Sequence, residues 1–227
     1  MKSTLGFSAI LATLALAGCG NDQSFKDDFV AIKDSMKLAV SARRQSGSPQ
    51  QAHLSAEMIG SVLVGHSRPV TAVTIEDRNS TGFFTLIESN GAYGTYGSAD
   101  RQALVFKRGV LTGTRGLGAD LMSSSSDSSI ALISARRSGN GTRVHRYIDG
   151  GEETVEIRFS CSVSVGESKS IAFGTVRGTG RVVREVCGSD GQQITNTYVV
   201  DGGSRVLWSR QWIGPSHGYA AIAPVRL

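Results

Sequence analysis

Residues 181–212 read RVVREVCGSDGQQITNTYVVDGGSRVLWSRQW, and the fold class turns on this stretch. Ser189-Asp190-Gly191 and Asp201-Gly202-Gly203 divide it into three runs. Asp and Gly tolerate the positive φ that tight hairpin turns need. The runs between them are rich in β-branched and aromatic residues, which suit a pleated, half-buried surface. Strands of about 7–9 residues punctuated this way have the rhythm of an antiparallel meander, sandwich or barrel.

The same punctuation extends outward. Asp149-Gly150-Gly151 is a third hairpin signal, and Arg108-Gly109 follows the strand-like run at 102–107. Residues 61–64, 70–75, 83–87 and 154–159 are further β-branched or aromatic runs. Residues 123–129, SSSSDSS, are the low-complexity stretch and predict an exposed loop. Residues 58–227 therefore predict a single β domain, an antiparallel β-barrel-like or sandwich meander.

One amphipathic helix is expected ahead of it. Phe25, Phe29, Ile32, Met36 and Val40 recur at helical spacing between about residues 24 and 43. Ser24 is the expected N-cap, Asp27 and Asp28 lie in the first turn, and Arg43-Arg44 close the last one. Residues 45–51, QSGSPQQ, break the pattern. Residues 19–57 thus form an anchor, helix and linker, with the helix read as docked on the domain rather than lying on a membrane.

Composition agrees with a turn-rich β protein. The 227 residues are 40% hydrophobic and 19% charged, with 28 Gly and 4 Pro. That excludes collagen, coiled coil, disorder and a polytopic membrane protein. The net charge of +5 comes from 18 Arg and 6 Lys against 19 acidic residues. No dense basic block marks a nucleic-acid-binding tail.

The first residues read as an address. Met1-Lys2 is a short positive start, and residues 5–16 are uncharged and apolar, too short to span a bilayer as a helix. The run ends in Leu16-Ala17-Gly18-Cys19, which resembles the bacterial lipobox. The resemblance implies removal of residues 1–18 and lipidation of Cys19. Acyl burial is worth about 0.8 kcal/mol per CH₂, and two or more chains anchor stably. Gly20, rather than Asp, after the Cys implies sorting to the periplasmic face of the outer membrane of a diderm bacterium. With Cys19 consumed, Cys161 and Cys187 remain in an oxidising compartment and read as a disulfide between neighbouring strands. A loop of that length contributes roughly 3–4 kcal/mol in the chain-entropy model.

Chemistry-bearing constellations are sparse. No G-x-S-x-G elbow is present, and His53, His66, His145 and His217 are scattered. No His, Asp or Glu group has metal-ligand spacing, so no metal, no cofactor and no catalytic residue is expected. Two surfaces have binding character. Strict alternation in residues 143–148 puts Arg143, His145 and Tyr147 on one face, either a solvated strand surface or a site for an anionic or sugar ligand. Trp208 and Trp212 lie four apart and share a face. With Val206 they read as core, whereas an exposed pair would be a sugar-stacking platform.

Residues 113–122, GTRGLGADLM, combine closely spaced glycines with a prospective Arg115–Asp120 pair and core-plugging Leu117, Leu121 and Met122. Arg115, Gly116, Gly118 and Asp120 are thus a structured turn, more architectural than ligand-binding. The lipobox, GVLTGTRGLGADLM at 109–122, RYIDG at 146–150, the Cys pair and SRQWIGPSHGYAAIAPV at 209–225 together resemble the YjbF/GfcB family, over about residues 55–225. These are lipoproteins encoded with exopolysaccharide and group 4 capsule genes. The resemblance implies a mainly β, outer-membrane-anchored periplasmic lipoprotein that assists polysaccharide production or export without catalysis. Its expected partners are an acidic polysaccharide, which suits Arg, or export-machinery proteins. The alternatives are a periplasmic glycan-acting enzyme, for which Asp149, Glu152 and Glu153 are the tight acidic cluster, and a lipid or lipoprotein carrier with a hydrophobic cavity.

Overall fold

Turn chemistry sets the hairpins. Asp190 and Gly191 both take positive φ (42° and 81°), as do Arg108 and Gly109 (51° and 80°), the backbone of tight two-residue hairpins. At the third turn the Asp201 carboxylate accepts from the Gly203 and Arg205 amides, both at 2.9 Å. The computed structural model describes residues 55–148 and 153–227. The expected signal segment, Cys19, the helix at 24–43, the linker with His53, and the turn at 149–151 lie outside the described residues.

The strands are β1 Val70–Ile75, β2 Ser80–Asn90, β3 Tyr93–Gly97, β4 Ala103–Lys107, β5 Val110–Arg115, β6 Ser123–Ser125, β7 Gly139–Ile148, β8 Thr154–Phe173, β9 Val176–Ser189, β10 Gln192–Asp201, β11 Val206–Gly214 and β12 Gly218–Arg226. They form a single sheet in the order β5-β4-β3-β2-β1-β12-β11-β10-β9-β8-β7-β6. All its ladders are antiparallel. A meander whose first strand pairs with its last makes a nearly closed barrel. The seam lies between β5 and β6. It is bridged by the Thr114 amide on the Leu121 carbonyl (2.9 Å) and the Met122 amide on the Arg146 carbonyl (2.8 Å). The mainly β, barrel-like expectation therefore holds.

Residues 61–64 are not a strand, contrary to the sequence reading. They belong to helix α1, Ala56–Gly65, capped by Ser55 Oγ accepting from the Met58 amide at 3.1 Å. Ile59, Val62 and Leu63 pack on Val70, Ala72 and Val225 of the barrel's outer face. That contact overrides the weak helix preference of β-branched residues. The serine stretch is not an exposed loop either. It forms β6 and the start of helix α2, Asp127–Ala135, with Ser126 and Ser129 buried. Small side chains are needed there, because a Cβ on Gly141 of β7 would lie 2.5 Å from Ser129 Oγ. Helix and strand touch almost backbone to backbone.

Strands β8 and β9, at 20 and 14 residues, exceed the expected length. Their far end is an arm that folds back over the outside of the barrel. At its tip the Thr175 amide and Oγ1 both donate to the Val225 carbonyl, at 2.8 and 3.1 Å. Ile171 and Val176 of the arm cover Val199, Leu207 and Trp208. The barrel is thus buried on its inner face and, beneath the arm and α1, on part of its outer face.

Candidate functional site

Three groups of residues carry the polar chemistry of the interior and the barrel ends. The first is a buried network. Alternation along β7 turns Arg143, His145 and Tyr147 inward, where each is no more than 2% exposed. The Arg143 guanidinium donates to both oxygens of Glu185, at 2.8 and 2.7 Å, and to Tyr198 Oη at 2.9 Å. Asn196 Nδ2 donates to the same carboxylate at 2.9 Å. Burial alone would push the Glu185 carboxyl up. The Arg143 charge and the bonds from Arg143 and Asn196 outweigh it and hold the carboxyl below its usual range. His145 stacks on Trp212 with ring centroids 5.6 Å apart. Burial, and then the Arg143 charge, push its imidazole down to about 3, so it is neutral at pH 7. Cys161, Glu185 and Cys187 converge here, but the sulfurs are joined in a disulfide and the carboxylate is held by Arg143.

The second group is the turn at 114–122, at the seam. Asp120 accepts from Thr114 Oγ1 (2.8 Å), the Gly116 amide (2.8 Å) and the Leu117 amide (3.1 Å). Arg115 does not pair with Asp120 as expected. It donates instead to the carbonyls of Thr114, Leu121 and Met122, clamping the seam. Leu117 and Leu121 plug the core, at 4% and 1% exposed, while Met122 is half-buried. From the other side His217 Nε2 donates to the Gly118 carbonyl at 2.6 Å, and Arg78 donates to the Leu117 carbonyl at 3.2 Å. Gln211 reaches across the barrel to the Leu111 amide (2.8 Å) and the Gly109 carbonyl (3.0 Å). The segments 109–122 and 209–225 are therefore one assembly in space.

The third group lines a cavity of about 490 Å³ at the opposite end of the barrel. That volume is in the range of small-molecule sites. Its floor is Tyr96, Phe106, Val206 and Ile222, with the Thr71 and Ser209 hydroxyls. Its rim is made by the turns of the β2–β3, β4–β5 and β10–β11 hairpins and the end of β12, and carries Arg108, Arg205 and Arg226. Arg205 pairs with Asp201 at 2.7 Å. Arg226 donates to the Leu63 and His66 carbonyls, which leave its charge uncancelled. Arg108 is exposed and its guanidinium makes no hydrogen bond or ion pair among the described residues.

The candidate glycan-facing residues are all buried. Arg143, His145 and Tyr147 share a face, but it is the barrel interior. Trp208 and Trp212 are core, as read from the sequence, at 8% and 6% exposed, but they sit in different clusters rather than on one shared face. Trp208 lies under the β8–β9 arm with Lys169 Nζ 5.4 Å from its ring centroid. The β10–β11 ladder ends at Thr197–Arg210. Beyond it Asn196 Oδ1 takes the Trp212 amide at 2.7 Å, and the Trp212 ring packs on Phe159, Ile194 and the disulfide. Sequence reasoning raised a hydrophobic cavity only as an alternative and assigned no residue to it. Its rim residues come from hairpin tips far apart in the chain, and only the Arg108-Gly109 and Asp201-Gly202-Gly203 turn signals pointed to any part of it.

Residues 25–223 match the model of a family described as group 4 capsule polysaccharide lipoprotein gfcB, YjbF. No curated protein sequence matches the chain. Among solved structures, the fold is similar to the crystal structure of the hypothetical lipoprotein YmcC from Escherichia coli (K12), with a TM-score of 0.66 and 16% sequence identity. The similarity covers 81% of this chain and 98% of that one. The likeness extends to the fold.

Proposed function

Because the chain belongs to the YjbF family of group 4 capsule polysaccharide lipoproteins, we propose that it is an envelope lipoprotein assisting capsule or exopolysaccharide production or export, by binding rather than by catalysis. Residues 1–18 are its signal peptide. Cys19 carries the lipid and holds the protein on the periplasmic face of the outer membrane. Residues 19–57 tether the domain, and residues 58–227 form one functional unit. The partner is an acidic polysaccharide or a protein of the export machinery.

The family match over residues 25–223 carries this reading. The fate of the reactive side chains supports binding over turnover. His145 and Glu185 are buried and committed to the core, and Asp120 is committed to its turn.

Deletion of the gene is expected to lower secreted polysaccharide. The wild-type chain restores it and Cys19→Ala does not. Palmitate-analogue labelling, present in wild type and absent in Cys19→Ala, checks the anchor independently. Unchanged polysaccharide in the deletion strain overturns the role, and equal labelling of both chains overturns the anchor.

A further inference from the structure

We propose that the cavity at the barrel mouth binds one amphiphile, an apolar chain ending in an anionic head, with the chain inward and the head among the rim arginines. This goes beyond the polysaccharide role and does not rest on it. The argument is the cavity's polarity gradient. The floor is aromatic and aliphatic, with Phe106 and Ile222 at 7% and 5% exposed. Its hydroxyls are few, those of Thr71, Tyr96 and Ser209, and Ser209 Oγ already accepts from Gln211 Nε2 at 2.9 Å. A sugar seated there would leave most of its own hydroxyls unpaired, which disfavours its burial. A hydrocarbon chain loses nothing on that floor and gains the burial of its surface.

The rim is the reverse. Arg108, Arg205 and Arg226 surround the opening, and Arg108 has no partner among the described residues. Guanidinium forks favour carboxylate and phosphate oxygens at the water boundary. A neutral amphiphile would use the floor and waste the rim. A small hydrophilic anion would use the rim and waste the floor.

The test is photo-crosslinking of the full chain in phosphatidylcholine nanodiscs. The probe is dodecanoic acid carrying a diazirine at its chain end, and labelled peptides are mapped by mass spectrometry. Labelling is expected on the floor strands β4 and β12. Ser89→Trp is expected to abolish it, because Ser89 is an exposed rim residue and an indole there closes the mouth. Arg108→Gln is expected to weaken labelling by up to about fivefold, the scale of an exposed ion pair. The Arg108 guanidinium makes no hydrogen bond or ion pair among the described residues, so this variant reads the rim even if Ser89→Trp fails to fold.

Competitors separate the head groups. Dodecyl phosphate outcompeting unlabelled dodecanoate assigns a phosphate head, and the converse assigns a carboxylate. Both must outcompete dodecanol. The proposal is overturned by labelling away from the floor, by labelling insensitive to Arg108→Gln, by dodecanol competing as well as the anions, or by displacement with glucuronate, which makes the cavity a sugar site.

Discussion

Arg143 and Glu185 meet through two parallel hydrogen bonds, Nε to Oε1 at 2.8 Å and Nη2 to Oε2 at 2.7 Å, with both side chains at most 2% exposed. The pair ties β7 to β9 across β8, and through Asn196 and Tyr198 it reaches β10. Buried charges of this kind are costly to orphan and cheap to remove together. Arg143→Met alone is expected to lose about 3–5 kcal/mol, because the carboxylate then stays buried without its counter-charge. The double variant Arg143→Met, Glu185→Leu is expected to lose much less than the sum of the single losses. Urea unfolding of the double-mutant cycle measures this, and additive losses would show the pair to be uncoupled.

Acid should act on this core in two windows. His145 is neutral in the fold, with its pKa pushed down to about 3, while the unfolded chain titrates near 6.5. As pH falls through 6.5, the unfolded chain binds a proton that the fold refuses. His145 therefore removes up to about 1.4 kcal/mol per pH unit from there down towards pH 3. Glu185 is held below its usual range, so its stabilisation is present above the unfolded carboxyl value. It is lost as pH falls below that value and through the folded one. His145→Phe keeps the stack on Trp212 and removes the proton acceptor. It is expected to reduce the slope between pH 6.5 and 4.5, where His145 acts without Glu185, and to leave only the carboxylate part of the limb below 4.5. Thermal melts across this range check it, and an unaltered upper slope would refute the assignment.

Cys161 and Cys187 face each other across the β8–β9 ladder, packed on Phe159, Ile194 and Trp212. Replacing both by Ala is expected to cost roughly 2–5 kcal/mol. The hairpin remains closed by its ladder, so the variant should fold with a lower urea midpoint. A midpoint equal to that of the oxidised wild type would show that the bond adds nothing the ladder does not supply.

The seam turn separates two glycines that look alike in sequence. Gly116 (φ 75°) has Arg101 O only 3.0 Å from where a Cβ would stand, whereas Gly118 (φ 76°) opens onto free space. Both Ala substitutions pay for the left-handed backbone, but Gly116→Ala also forces the neighbouring chain aside. It is expected to be the more destabilising by about 1 kcal/mol or more. Asp120→Ala, which strands the Thr114 hydroxyl and two amides, should cost about 1–3 kcal/mol. Chemical denaturation ranks the three variants, and equal losses at the two glycines would contradict the packing at Arg101.

Much of this was legible. Asp190-Gly191, Arg108-Gly109 and Asp201-Gly202-Gly203 are turns because their residue types accept backbone angles that others resist. The cysteines fall opposite each other because the hairpin joining Phe173 to Val176, with the register shift between Val165 and Ser168, sets β9 against β8. The resemblance in 109–122 and 209–225 pointed to the two segments that bond to each other through Gly118–His217 and Leu111–Gln211.

Other features were illegible for physical reasons. Residues 61–64 and 123–129 have local preferences of only tenths of a kcal/mol per residue, so docking against the barrel decided their form. Period-two alternation grouped Arg143, His145 and Tyr147 correctly but is symmetric between inside and outside. Only the closure of β1 on β12 made that face the interior. Trp208 became core because the β8–β9 arm folded over it, a contact spanning some thirty residues. The sequence by itself determined most of the strands, the main hairpin turns, the disulfide partners and the family, since those depend on local backbone chemistry and on matching segments. The tertiary structure alone decided which faces are buried and where an apolar cavity opens beneath arginines, because both require the sheet to close on itself.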